Sequence, residues 1–205
     1  RPADTKRDAG AGGRGGAAGG RRFAAARLEG GGAAGLREGL APGAVVAEAE
    51  VRQVDGNSFG LEVSGLVAEK KSWTLAELDA FAQASQVTRH ICVEGWSAIG
   101  KWGGVPLADF LRRVGADLTA KYVGFKCADD YHTSIDMPTA LHAQTIIALT
   151  FDGETLPARY GYPMKIRMPT KLGYKNPKHV QALFVTNTYP GGYWEDQGYN
   201  WFGGS

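Results

Sequence analysis

The chain has 205 residues, 43% of them hydrophobic, and a formal net charge of +2. This suffices for one packed domain, and the near-neutral balance gives no global field for nucleic acid or an anionic membrane. Two cysteines, Cys92 and Cys127, are too few for a disulfide scaffold, and no apolar run approaches the ~20 residues that span a bilayer.

Residues 1–50 form a low-complexity Gly/Ala/Arg tract. Such a segment buries too little apolar surface to offset its ordering entropy, so a disordered tail is expected, or a tract that is not the native beginning of the domain. Arg21-Arg22-Phe23 has the form of a twin-arginine leader, but Ala, Gly and charge follow it instead of an apolar stretch, so no intact leader is read.

The globular domain is expected over residues 51–205. Phe59 to Val63 alternates and reads as a strand. Thr74-Leu75-Ala76-Glu77 is a capping box, with Leu75, Leu78 and Phe81 on one helical face. A short strand ends at Cys92-Val93 and runs into a loop. Pro106 is placed at the first position of a helix with Leu107, Phe110, Leu111 and Val114 as its stripe and Gly115 at its end. Further strands are expected at Tyr122 to Cys127, at Thr145 to Phe151 before an Asp152-Gly153 turn, at Met164 to Met168 and at Val180 to Thr186. Short strands mixed into sheets with few helices define an α+β domain. The Gly-, Trp- and Tyr-rich segment from Tyr189 to Ser205 is expected to wrap the body, because so many rings would otherwise lie exposed.

Two features carry chemistry. Arg89-His90-Ile91-Cys92-Val93-Glu94-Gly95-Trp96-Ser97 sets a cysteine at the end of an apolar run, followed by an acid, a glycine and an indole. A lone cysteine is usually a small buried hydrophobe, but its thiolate is a soft donor suited to a redox metal. Arg159, Lys165, Arg167, Lys171, Lys175 and Lys178 crowd the second region. A charge run is usually a solvated face. Here Lys165 and Arg167 share one side of a strand, and Lys171, Lys175 and Lys178 lie in a loop with Gly173, Asn176 and Pro177, a composition suited to cradling phosphate. A soft ligand with a phosphate clamp suggests a metal held through a phosphorylated organic cofactor. Three other readings stand beside it. One is a zinc site from His90, Cys92, Cys127 and His132, whose spacings match no common finger or ribbon. Another is a Cys/His nucleophile pair with no orienting third residue. The third is nucleic acid bound by Tyr160, Tyr162 and Tyr174 among the charges, against which the net charge argues.

The ordered set Cys92-Val93-Glu94-Gly95-Trp96-Ser97, Gly104-Val105-Pro106-Leu107, Lys121-Tyr122-Val123-Gly124-Phe125, Asp152-Gly153, Gly161-Tyr162-Pro163-Met164-Lys165 and Lys175-Asn176-Pro177-Lys178 resembles the molybdopterin-binding domain of the sulfite oxidase family. The match runs from about Val51 to Ser205 and is nearest to the small periplasmic bacterial branch that contains sulfoxide reductases. The resemblance implies a molybdenum-molybdopterin cofactor with Cys92 as the protein's thiolate ligand to the metal. It implies that Cys127 lines the pterin pocket, that Tyr160 and Lys165 hydrogen-bond the pterin and its phosphate, and that Asn176, Pro177 and Lys178 form the phosphate loop. Glu94 and Tyr199 are its implied active-site companions of Cys92.

The implied chemistry is two-electron oxygen-atom transfer on a small oxo substrate, in a monomeric catalytic subunit that exchanges electrons with a membrane or soluble cytochrome. Relatives usually carry His or Asn at the position of Tyr160 and Arg at that of Lys165, and lysine lacks arginine's bidentate fork. They also carry an upstream asparagine-bearing segment, where this chain has its Gly/Ala/Arg tract. A cofactor-free interaction module of the same fold and a cysteine-dependent hydrolase are the rival readings.

Overall fold

The computed structural model describes residues 51–205. The expected tail, the leader motif and the place of the upstream asparagine segment lie outside them. In chain order the elements are β1 (Leu61–Gly65), β2 (Ser72–Trp73), α1 (Leu75–Asp79), β3 (Ala84–Ile91), β4 (Ser97–Pro106), α2 (Leu107–Arg113), β5 (Tyr122–Cys127), β6 (His132–Asp136), α3 (Met137–Ala140), β7 (Ile146–Phe151), β8 (Glu154–Thr155), β9 (Lys165–Arg167) and β10 (Val180–Thr186). They form one sheet in the order β2-β1-β10-β5-β6 and a second in the order β3-β4-β7-β8, with β9 also paired to β7. This is the α+β arrangement of short strands and few helices expected from the sequence.

The main core draws on both sheets and α2: Leu61, Val63, Val123, Phe125 and Leu183 from the first, Val105, Ile147 and Ile166 from the second. Leu107, Phe110, Leu111 and Val114 are fully buried, as their spacing requires. Thr74 caps α1 in a reciprocal box: Glu77 N–H donates to Thr74 Oγ1 and Thr74 N–H to Glu77 Oε2. Pro106 ends β4 and occupies the cap position, one residue earlier than expected, while Gly115 ends α2 at φ +63°.

The larger difference lies after Cys92. The expected loop is a five-residue turn, and Ser97–Pro106 then pairs with β3 over eight residue pairs as a long antiparallel hairpin. Glycines and tryptophan hid that strand, because its alternation is carried by which residues are buried and not by which are apolar. The sequence reading also missed β6. On the opposite side of the second sheet Trp102, Ile146, Ala148 and Leu156 form a smaller cluster, joined by Phe151 and Tyr160. The segment after Tyr189 packs back on β6, where Tyr193 N–H donates to the His132 carbonyl and Trp201 Nε1 to Ser134 Oγ. Its rings are only partly covered: Tyr193, Trp194, Tyr199 and Phe202 remain exposed.

Candidate cofactor site

The turn between β3 and β4 presents Cys92. Its N–H donates to the Trp96 carbonyl, Gly95 N–H donates back to the Cys92 carbonyl, and Gly95 takes φ +91°, a conformation glycine adopts without penalty. Cys92 is half-buried, so the thiol is neither sealed in hydrocarbon nor fully exposed. Glu94 Oε2 lies 3.8 Å from Cys92 Sγ and accepts the Trp96 indole N–H at 3.1 Å. One carboxylate oxygen therefore ties the thiol to the ring that closes the turn.

The basic residues divide into two sets. Lys165 and Arg167 alternate with Met164, Ile166 and Met168 along β9, as expected, and reach the side of the sheet that carries Trp102. There the Lys165 ammonium lies 4.9 Å and the Arg167 guanidinium 5.9 Å from the indole. Lys165 is 6% exposed and Arg167 fully buried. Lys178 joins them because residue 161 is glycine. At its φ of +118° a Cβ would stand 2.9 Å from Lys178 Cβ and 3.1 Å from Lys165 Cβ. Burial, reinforced by Lys178 and Arg167, lowers the Lys165 pKa to about 7. Burial also lowers Arg167 to about 10, and lowers Lys178, where Asp129 opposes it. None of the three has a carboxylate ion-pair partner among the described residues. Arg167 Nε is buried with no partner, and its other nitrogens donate to Asn176 Oδ1 and the Arg89 carbonyl.

Lys171 and Lys175 correct the expected lysine cradle. Both are buried and already bonded within the chain. Lys171 Nζ donates to the Phe202 carbonyl and stands 3.7 Å from Asp136, and Lys175 Nζ donates to the Ser134 carbonyl and pairs with Glu195. They hold the C-terminal segment to the body.

Asn176 is equally committed. Its Oδ1 accepts from Arg167 and from Met168 N–H, and its Nδ2 donates to the Leu172 and Lys171 carbonyls. It shapes the loop that places Pro177, whose carbonyl accepts Ile166 N–H, and Lys178, whose Nζ donates to the Arg159 carbonyl. Tyr160 lies half-buried against Phe151 and Trp102, at centroid distances of 4.6 and 6.1 Å.

Cys127 sits in the main core, and burial pushes its thiol well above the ordinary range. Tyr199 is exposed and stacks on Tyr174 and Trp194. Neither makes a hydrogen bond to the Cys92 turn.

The zinc reading does not survive: among the described residues no three His, Cys, Asp or Glu side chains come together as ligands. The Cys/His pair lacks its base as well. Burial and the neighbouring Lys165, Arg167 and Lys178 hold His90 down at about 3, and Cys92 Sγ meets Glu94 and no imidazole. His90 and Trp102 were not singled out as cofactor residues in the sequence, and Arg167 entered only as a member of the basic run. Their signal was the period-two placement on β3, β4 and β9, which is visible only once β4 is recognised as a strand.

Buried cations without counter-ions are costly, and an anionic ligand offsets that cost through charge-assisted hydrogen bonds. Fold and site thus define a protein suited to an anionic ligand, with cations lacking counter-ions on β9 and a half-buried thiol at the end of the neighbouring hairpin. The sequence pattern of the oxidoreductase molybdopterin binding domain family matches residues 48–194, and the chain belongs to that family. Its cofactor is molybdopterin, and its fold is of the sulfite oxidase type.

The chain is 78% identical over 156 residues to a putative protein-methionine-sulfoxide reductase subunit, YedZ1, of Azospira oryzae, covering 76% of this chain and 60% of that protein. It is 29% identical over 154 residues to the protein-methionine-sulfoxide reductase catalytic subunit MsrP of Xanthomonas campestris pv. campestris, covering 67% and 48%. Its fold is similar to that of the sulfane dehydrogenase SoxCD from Paracoccus pantotrophus, with TM-score 0.63 and 20% identity over 67% of this chain and 40% of that one. The chain spans 48 to 60% of the length of the two curated relatives.

Proposed function

We propose that this domain is a molybdenum-cofactor oxidoreductase that removes an oxygen atom from a sulfoxide, the substrate class named for the Azospira and Xanthomonas relatives. The observation that carries the reading is a set of cations without counter-ions among the described residues, the buried Lys165 and Arg167 with the half-buried Lys178, gathered near His90 on the strand that leads into the Cys92 turn. When bound, the cofactor supplies a two-electron centre able to take up or release oxygen. The protein binds, orients and tunes it. Lys165, Arg167 and Lys178 hold the phosphate end, with Asn176 and Pro177 fixing the loop and Tyr160 bordering it through Trp102. Cys92 supplies the thiolate, and Glu94 with Trp96 keeps the turn in the conformation that presents it. Tyr199 and Cys127 are assigned to the substrate side and the pterin pocket on the resemblance alone.

Reduction of a sulfoxide to a sulfide and water consumes two electrons and two protons. We propose that these electrons enter from a cytochrome partner. The periplasm is the proposed compartment, on the resemblance to the periplasmic branch of the family. The test is elemental analysis of the purified protein, followed by sulfoxide reduction with an artificial electron donor. Stoichiometric molybdenum with turnover is expected. Protein produced alongside cofactor biosynthesis yet devoid of molybdenum would overturn the reading in favour of a cofactor-free module.

A further inference from the structure

A row of buried polar atoms on the β3–β4 hairpin points to residues that position the organic part of the cofactor. Alternate residues of a strand share a side. Thr88 and His90 of β3 pair with Gly100 and Ala98 of β4, and Trp102 stands one alternate position along from Gly100. Thr88 Oγ1, His90 Nδ1 and Trp102 Nε1 are each buried and lack a hydrogen-bond partner among the described residues. Buried polar groups are as a rule paired, so three unmet ones on one hairpin face call for an occupant. The Lys165 ammonium stands over the Trp102 ring, which joins this row to the cation cluster.

His90 is the member nearest Cys92. Its ring lies against Gly173, where a Cβ would come 3.0 Å from Nε2. It also packs on Trp96 at 5.7 Å, and Trp96 donates to the Glu94 oxygen that lies beside Cys92 Sγ. The ring is thus held by packing, and Nδ1 is left free. An indole N–H only donates, a hydroxyl does both, and an imidazole nitrogen does either according to tautomer. That mixture matches the heteroatom edge of a pterin, where ring-nitrogen and carbonyl acceptors alternate with N–H donors. A phosphate, which presents acceptors alone, suits the lysine and arginine cluster instead.

We propose that His90 is a positioning residue for the pterin, with Thr88 and Trp102 beside it, while Lys165, Arg167 and Lys178 take the phosphate. This rests on the cofactor reading above. Pterin and metal-binding sulfurs belong to one molecule, so holding the pterin edge sets how those sulfurs meet Cys92.

The experiment uses the full chain produced alongside cofactor biosynthesis. His90→Phe keeps the ring volume and drops Nδ1, and His90→Asn keeps a polar atom near it. Gly173→Ala displaces the ring from outside by crowding Nε2. Molybdenum content, the rate of pterin release followed by fluorescence of the oxidised pterin, and the electron paramagnetic resonance of the half-reduced metal are measured. His90→Phe is expected to release pterin about tenfold faster, the ratio that one lost hydrogen bond of about 1.4 kcal/mol gives, with a shifted spectrum. His90→Asn is expected to stay near wild type, and Gly173→Ala to follow His90→Phe. If His90→Phe fails to fold, Gly173→Ala decides alone. Wild-type release and spectra in His90→Phe, or in Gly173→Ala when it decides alone, overturn the proposal and leave the cofactor reading standing. A wild-type chain without molybdenum or pterin sinks both.

Discussion

Lys175 and Lys165 are both lysines removed from water, and they differ in what they face. Lys175 meets Glu195 and the Ser134 carbonyl, and Thr133 Oγ1 donates to the same Glu195 oxygen. Lys165 meets the face of Trp102 and two further cations. The first charge is spent within the chain, where it ties the C-terminal segment to β6. The second has no protein partner among the described residues, which is the condition a group reserved for an anionic ligand should show. Burial alone does not separate a structural lysine from a binding one; the counter-ion does.

The sharpest way to break this comparison is to remove the thiol proposed to share a ligand with the second lysine. Cys92→Ala is expected to abolish molybdenum-dependent sulfoxide reduction, measured with an artificial donor, while the unfolding midpoint stays close to wild type, since the side chain is half-buried and bonds only to Glu94. Full activity in that variant would refute the ligand assignment.

Next in size is Lys175→Met. It leaves the Glu195 carboxylate buried and unpaired, so urea unfolding should show a loss of about 3–5 kcal/mol. A loss below about 1 kcal/mol, the scale of exposed pairs, would show that the pair is not structural. Lys165→Met should behave in the opposite way. Removing a buried charge that has no partner leaves cofactor-free stability unchanged or raised, while cofactor retention falls about 10-fold or more, the scale of lost supporting contacts at metal sites. Equal losses in the two variants would erase the distinction.

The last expected effect is a pH slope. In the cofactor-free chain Lys165 has its pKa lowered to about 7 from an ordinary 10.5. Between these values the unfolded chain binds more protons than the folded one, so stability rises with pH across that window. Urea unfolding of cofactor-free protein from pH 6 to 10 should show this rise, and Lys165→Met should flatten it. A wild-type curve as flat as the variant's would mean that Lys165 reaches water in solution.

Much of the site was legible as residues and little of it as geometry. Cys92 and Lys165 stand out by type and order, and the capping box at Thr74 and the stripe of α2 follow from spacing that only one local structure satisfies. Lys171, Lys175 and Lys178 are indistinguishable as letters in a basic loop. Their partners Asp136, Glu195 and the Arg159 carbonyl lie 35, 20 and 19 residues away in sequence, and only chain folding brings them into range. The second hairpin strand was missed for a related reason. Gly100, Gly103 and Gly104 carry no apolar signal, and their small size is demanded by neighbours such as Phe151, Thr150 and the Ile147 carbonyl.

The amino-acid order by itself determined the α+β character, the existence and place of α1 and α2, and the identity of the thiol and the basic region, because these depend on local periodicity and on chemistry that a side chain carries wherever it sits. Tertiary structure alone decided which cations are left without counter-ions and which polar atoms of β3 and β4 are left without partners. Both are properties of what surrounds a group after the chain has closed on itself, and nearest neighbours in sequence do not report them.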